Sequence, residues 1–208
     1  MYSSIADIPE ARLIKLLIMD RQWHSRILGI KGIQSNSTPL LSVPLRGLPG
    51  NPSGDIDILL VVPGRPDLAT AIEVKRIKVG AAAFQTGGPN KLRGFKEGVR
   101  QANTLAKIGF SQVYLYIFVV VDSREQNTER ISYKGLSLEL KSWIEQNISP
   151  RELVQRVGLM HFEFVQPMDD EPLGVGTFSG HLVRLADSMS QDPEVTAWVA
   201  QQIAANAS

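Results

Sequence analysis

Cysteine does not occur in the 208 residues, and histidine occurs three times. The first absence excludes a disulfide framework, a thiolate zinc site and a cysteine nucleophile. His24, His161 and His181 are too scattered for metal-ligand spacing, so each is expected as an ordinary core-edge or surface side chain. Long apolar runs are also missing, since those around Leu59 to Val62 and Val113 to Val121 are far too short to span a bilayer. Residues 1–10 show no basic stretch followed by an apolar core, and the expectation is a cytoplasmic protein. The phosphate loop GxxxxGK(S/T) and the nucleophile elbow GxSxG are absent. The glycine-rich run from Gly174 to Gly180 has the wrong final spacing for a dinucleotide fingerprint, so ATP hydrolysis, serine esterase chemistry and dinucleotide binding lack their motifs.

What is present is the composition of an ordinary globular chain, 43% hydrophobic and 21% charged, long enough for one domain over 1–208. The net charge of +1 conceals a local asymmetry. From Lys75 to Lys107 the charged residues are Lys75, Arg76, Lys78, Lys91, Arg93, Lys96, Arg100 and Lys107, against Glu97 alone, while acids such as Glu163, Asp169, Asp170 and Glu171 come later. A basic segment of this kind suits a polyanionic partner, and a solvated helix face accounts for part of it.

Along the chain, Asp7 and Pro9 introduce a helix to Met19, with Leu13, Leu16, Leu17 and Trp23 as its apolar stripe and Asp7 as its cap. Leu40 to Leu45 has strand character but carries Pro39 and Pro44 at its ends, which predicts an edge position. Lys91 to Ile108 repeats apolar residues at helical spacing (Phe95, Val99, Ala102, Leu105, Ala106) and stops at Gly109. Gln112 to Val121 is almost unbroken apolar sequence and predicts a central strand buried on both faces. Beyond it, Leu136 to Asn147 and Pro150 to Val157 predict helices, and Leu159 to Val165 and Thr177 to Leu185 predict strands. Asp192-Pro193 caps a last helix with Val195, Trp198, Val199 and Ile203 on one face. Gln85 to Asn90 predicts a loop beside the hairpin described next.

The chain is organised around Gly54 to Ile77, which predicts two antiparallel strands joined at Pro63-Gly64-Arg65-Pro66. Folding about Arg65 sets Asp57 opposite Glu73 and Asp55 opposite Lys75, all on one face. Facing carboxylates repel, so a cation is needed beside them; oxygen ligands of this kind suit a divalent metal with Lys75 as neighbour. A surface ladder of ion pairs is the simpler alternative, and it requires no metal.

This stretch resembles the active-site hairpin of the PD-(D/E)XK nucleases, the restriction-endonuclease-like superfamily, with Asp57 and Glu73-Val74-Lys75 at the motif positions. Ile56 replaces the family's proline. The literal Pro66-Asp67 is a decoy in the turn, since at roughly 3.3 Å per residue Asp67 lies about 20 Å from Glu73. The resemblance covers about residues 9–122, in the order αβββαβ, with 123–208 as a C-terminal elaboration of extra helices and strands. It implies an α/β fold with a mixed central sheet flanked by helices. It also implies Mg²⁺ as cofactor, with Mn²⁺ able to substitute, held by Asp57, Glu73 and the backbone carbonyl of Val74, with Asp55 and Glu10 as further acids. Lys75 would serve the attacking water, and Gln101 would orient that water or contact a phosphate. The implied activity is phosphodiester hydrolysis, in DNA rather than RNA, with Arg76, Lys78, Lys91, Arg93, Lys96 and Arg100 contacting nucleic acid and room for a homodimer. A non-catalytic nucleic-acid-binding module that keeps the fold is the alternative.

Overall fold

The six strand patterns described above end up in one sheet. The computed structural model describes residues 7–29, 33–79, 92–122, 142, 146, 150–166 and 177–206. Its elements are α1 (Glu10–Met19), α2 (Arg21–Leu28), β1 (Thr38–Pro44), β2 (Asp55–Val62), β3 (Arg65–Val79), α3 (Leu92–Ile108), β4 (Gln112–Asp122), β5 (Gly158–Gln166), β6 (Thr177–Arg184) and α4 (Pro193–Asn206). The six strands form one sheet in chain order. Pairs β1–β2, β2–β3 and β5–β6 are antiparallel, and β3–β4 and β4–β5 are parallel. The protein is therefore α/β, with a mixed sheet flanked by helices. Among the described residues no helix is long and apolar enough to cross a membrane.

The sheet separates two cores. Leu13, Leu17, Ile18 and Ile27 of α1 and α2 pack with Ile72, Val74, Tyr114, Tyr116 and Phe118 on one face. Phe95, Val99, Ala102 and Leu105 of α3 and Val195 and Trp198 of α4 pack with Ala71, Leu115, Ile117 and Val119 on the other. Strand β4 sends residues into both, which is why its sequence is apolar without alternation. The α3 stripe is buried as its spacing predicts, and Gly109 ends the helix at φ 106°.

The C-terminal helix is tied to the hairpin from a distance in sequence. Asp192 Oδ1 accepts from the Glu194 N–H at 2.8 Å, the cap expected from Asp192-Pro193. One residue earlier, buried Gln191 accepts from the N–H groups of Ala69 and Ser111 and donates to the Pro66 carbonyl, clasping the starts of β3 and β4. Trp198 Nε1 donates to the Arg46 carbonyl at 2.8 Å and so fixes the loop that leads into β2.

Several details differ from expectation. Asp7 does not cap α1: Pro9 holds that position without a side-chain bond, and Asp7 pairs with Lys78 at 3.0 Å. Trp23 belongs to the separate helix α2, where it packs on Phe164 and Phe178 rather than continuing the α1 stripe. Only Pro150–Glu152 of the segment to Val157 is helical, as one 3-10 turn. The loop Gln85 to Asn90 lies outside the described residues, as does the predicted helix Leu136 to Asn147 apart from positions 142 and 146.

Candidate functional site

The turn of the hairpin is Pro63-Gly64, and β3 already begins at Arg65. Val62 pairs with Arg65, but past an irregularity the register becomes Leu60 to Thr70, Leu59 to Ala71 and Ile58 to Ile72. Continued by one residue, it sets Asp57 opposite Glu73, the expected facing, reached through a tighter turn and a bulge. The ladder, however, ends at Ile58 and Ile72. Beyond that point β2 leaves β3 while staying with β1, as the pairs Val43 to Ile56 and Pro44 to Asp55 show.

A local twist drives this fork. Leu40 and Leu59 belong to the α3-side core, Leu41 and Ile58 to the α1-side core, and Val43 and Ile56 again to the α3-side core. Both strands therefore exchange faces at Ser42 and Asp57, where strict alternation fails. Ser42 has φ 50°, a left-handed conformation that costs a serine about 1 kcal/mol or more.

The fork strips β3 of main-chain partners on one side, and two carboxylates replace them. Asp57 Oδ2 accepts the Val74 N–H at 2.7 Å, and Glu10 Oε2, from the first turn of α1, accepts the Arg76 N–H at 2.6 Å. On the α3 side of β3, Lys75 Nζ lies 2.7 Å from Glu73 Oε1 and 3.9 Å from Glu10 Oε1. Glu10, Asp57, Glu73 and Lys75 thus form one cluster. Lys75 pairs with Glu73 and reaches Glu10 rather than Asp55.

Electrostatics follow from burial. Glu73, 1% exposed, has its pKa pushed up to about 8, first by desolvation and then by the Asp57 charge, with Lys75 working in the opposite direction. Desolvation likewise raises Asp57 to about 6, against the lowering effects of the Val74 N–H and Lys75. Burial disfavours the Lys75 ammonium, yet Glu73, Glu10 and Asp57 more than offset it and its pKa is raised. Asp57 and Glu73 titrate as one pair, and burial decides the direction for both.

A cavity of about 180 Å³ opens beside Glu73, lined also by Asp55, Ser53, Arg100, Gln101 and Thr104. Gln101 Oε1 is buried there without a hydrogen-bond donor. Asp55 is exposed; besides lining this cavity it acts on Asp57 as a repulsive charge. Asp67 of the literal Pro-Asp forms a bidentate pair with Arg65 beside the turn, remote from Glu73.

The expected nucleic-acid contacts are differently engaged. Arg76 donates to the Ile8 carbonyl and Lys78 pairs with Asp7, so both fasten the segment before α1 to β3. Arg100 is exposed and pairs with Glu97 at 2.5 Å, and Lys96 is exposed. Lys91 lies outside the described residues, and of Arg93 only the helical backbone is described.

A glycine also belongs to the site. Gly98 of α3 packs on the Lys75 stem: a methyl there would overlap Lys75 Cγ and lie 3.2 Å from Leu115 Cδ1. The signal in the sequence is a glycine on the buried stripe of a long helix, where it costs about 1 kcal/mol relative to alanine.

Among the described residues no three or more Asp, Glu, His or Cys converge as a ready-made metal group. Asp57 Oδ2 and Glu73 Oε1 are committed to Val74 and Lys75, which leaves one oxygen on each carboxylate and the Val74 carbonyl as donors. That set fits a cation that keeps several waters, as Mg²⁺ does, and not one needing a full protein cage. No family model and no curated protein matches the chain. A similar solved structure is the SPO1766 protein of unknown function from Silicibacter pomeroyi, at 12% identity and TM-score 0.36, covering 83% of this chain and 75% of that one.

Proposed function

We propose that the protein is a divalent-cation-dependent nuclease that hydrolyses phosphodiester bonds in DNA, built on a restriction-endonuclease-like core. The observation that carries this is the fork between β2 and β3, where Asp57 faces buried Glu73 and Lys75 lies 2.7 Å from Glu73. A surface ion ladder would be solvated and would leave carboxylate pKa values low. Here burial raises both, which is the electrostatic state of a site short of positive charge.

Asp57, Glu73 and the Val74 carbonyl would hold Mg²⁺ or Mn²⁺, which supplies a water of lowered pKa and offsets charge developing on the phosphate. The chain's own groups set up the rest. The Val74 N–H orients Asp57, and the Arg76 N–H holds Glu10 in the cluster as a further carboxylate. Lys75 stands beside the carboxylates, where an ammonium positions a water and stabilises phosphate charge. Gln101 Oε1, buried and without a donor, is available to accept a hydrogen bond from that water. A second reading, a non-catalytic nucleic-acid-binding module, is favoured by the spread of the acids: among the described residues no three of them, Glu10 included, are placed to hold one metal ion.

The test is relaxation of supercoiled plasmid in Mg²⁺ or Mn²⁺. Wild type is expected to nick, and Asp57→Ala and Glu73→Ala to lose nicking by about 100-fold or more, on the order of a catalytic electrostatic contact. Nicking that survives both substitutions would rule out this site. Binding of nucleic acid with no cleavage of plasmid, single-stranded DNA or RNA would select the second reading.

A further inference from the structure

A second recess lies on the other side of the sheet from the Gln101 cavity. A groove of about 870 Å³ runs between α1 and β1, lined by Arg12, Lys15, Leu16, Met19, Leu41 and Ser42 among others. Both of its walls continue along the chain toward residues of the cluster. Ala11 follows Glu10 on the helix wall, and Ser42 on the strand wall lies between Leu41 and Val43, whose partners Ile58 and Ile56 flank Asp57.

The lining has two characters. Arg12 and Lys15 are exposed and three residues apart, so they sit on one side of the helix about 4.5 Å apart along its axis. Leu16 and Leu41 are half-buried, and Met19 is 70% exposed, which together make an apolar floor open to solvent. The first helical bond runs from the Leu13 N–H to the Pro9 carbonyl, and Pro9 offers α1 no side-chain cap. Asp20 bounds the far end, where its carboxylate accepts the Trp23 N–H. A basic rim over an apolar floor matches an anionic backbone carrying flat apolar faces, as an unpaired nucleic-acid strand does. A duplex would offer phosphates to the rim but nothing to the floor.

We infer that the groove between α1 and β1 seats a single strand of polynucleotide, with phosphates along Arg12 and Lys15 and bases against Leu16, Met19 and Leu41. The orientation of that strand toward the carboxylates rests on the nuclease proposal; the groove's affinity for it does not.

Fluorescence anisotropy with a labelled single-stranded DNA of about 15 nucleotides in EDTA, as a function of salt, tests this without cleavage. Arg12→Gln/Lys15→Gln is expected to weaken binding at least tenfold and to reduce the slope of log K against log salt by about 1.4, since each phosphate left without its cation removes about 0.7. Lys15→Gln alone, the milder variant, should reduce the slope by about 0.7. Met19→Ser should weaken binding with the slope unchanged, and Lys107→Gln, at the far end of α3, should alter neither. Unchanged affinity and slope in Arg12→Gln/Lys15→Gln, no binding by wild type, or equal competition by a duplex of the same sequence would each overturn the assignment. If the double variant binds normally while wild type nicks plasmid, the groove fails and the nuclease proposal stands. If binding is lost in the double variant and no substrate is ever cut, the groove stands without the nuclease.

Discussion

The hairpin carries two acid–base pairs of nearly equal length and opposite consequence. Arg65 and Asp67, beside the turn, are 2.6 Å apart with side chains 56% and 44% exposed. Lys75 and Glu73, beyond the fork, are 2.7 Å apart with side chains 16% and 2% exposed. Arg65 holds the Asp67 carboxyl below its ordinary range, whereas Glu73 is raised to about 8 although its lysine is as close. Distance is therefore not what separates a surface pair from a site. At Glu73 the loss of water and the second acid, Asp57, outweigh the cation. The turn pair is electrically complete, and the fork has acid to spare.

The largest difference should appear in activity. Lys75→Ala is expected to reduce plasmid nicking by roughly 100- to 10,000-fold with the fold retained, while Arg65→Ala leaves the rate unchanged. Equal effects would dissolve the distinction. The next comparison uses one substitution at two glycines of α3. Gly98→Ala should displace Lys75 and lower nicking about tenfold or more, whereas a methyl at exposed Gly94 meets nothing within 4 Å. Gly94→Ala should raise the melting temperature and leave the rate alone, since replacing a helical glycine contributes roughly 0.5–1 kcal/mol. A fall in both rate and stability at Gly94 would show that α3 tolerates no change at all.

The pH dependence sharpens the contrast further. Asp57 and Glu73 both have folded pKa values raised above their unfolded values, from 3.8 to about 6 and from 4.5 to about 8. Their stabilisation is full below about pH 4 and is lost as pH rises through 6 and then 8, because the unfolded chain ionises first. At about 1.4 kcal/mol per pKa unit, the two shifts together set an upper bound of about 8 kcal/mol on what the metal-free protein loses over that window, and Asp57→Asn/Glu73→Gln should flatten the profile. Mg²⁺ should restore the lost stability at pH 8. Asp67 has the opposite sign, lowered and exposed, so Asp67→Asn is expected to leave both the profile and the melting temperature unchanged within error. Thermal melts from pH 4 to 9 in EDTA measure all of these.

Much of this was legible in the chain. The alternation of Ala69 to Lys75 marks the second strand of the hairpin, and the unbroken Val113 to Val121 marks the central strand, because period and burial are written directly into residue order; the alternation of Asp55 to Ile58 marks a strand but not its faces, since Ile56 and Ile58 enter opposite cores. Pro39 and Pro44 mark the edge strand for a similarly local reason. The fork was not legible, since it depends on Ser42 taking a left-handed conformation and on both strands exchanging faces together. Glu10 has the local character of a helix-start acid. Its place in the cluster depends on α1 packing so that an N–H 66 residues away meets its carboxylate. The same packing engages Arg76 and Lys78 with the segment before α1, a pairing that the order of residues along the chain does not disclose. Gly98 was hidden because its role is to be small beside Lys75.

Isothermal titration of Mg²⁺ and of Mn²⁺ into wild type and into Asp57→Ala/Glu73→Ala tests most directly whether the fork is a cation site. A saturable heat in wild type that disappears in the double variant is the expected result. Saturable binding of equal strength in both proteins, or none in wild type, would contradict it.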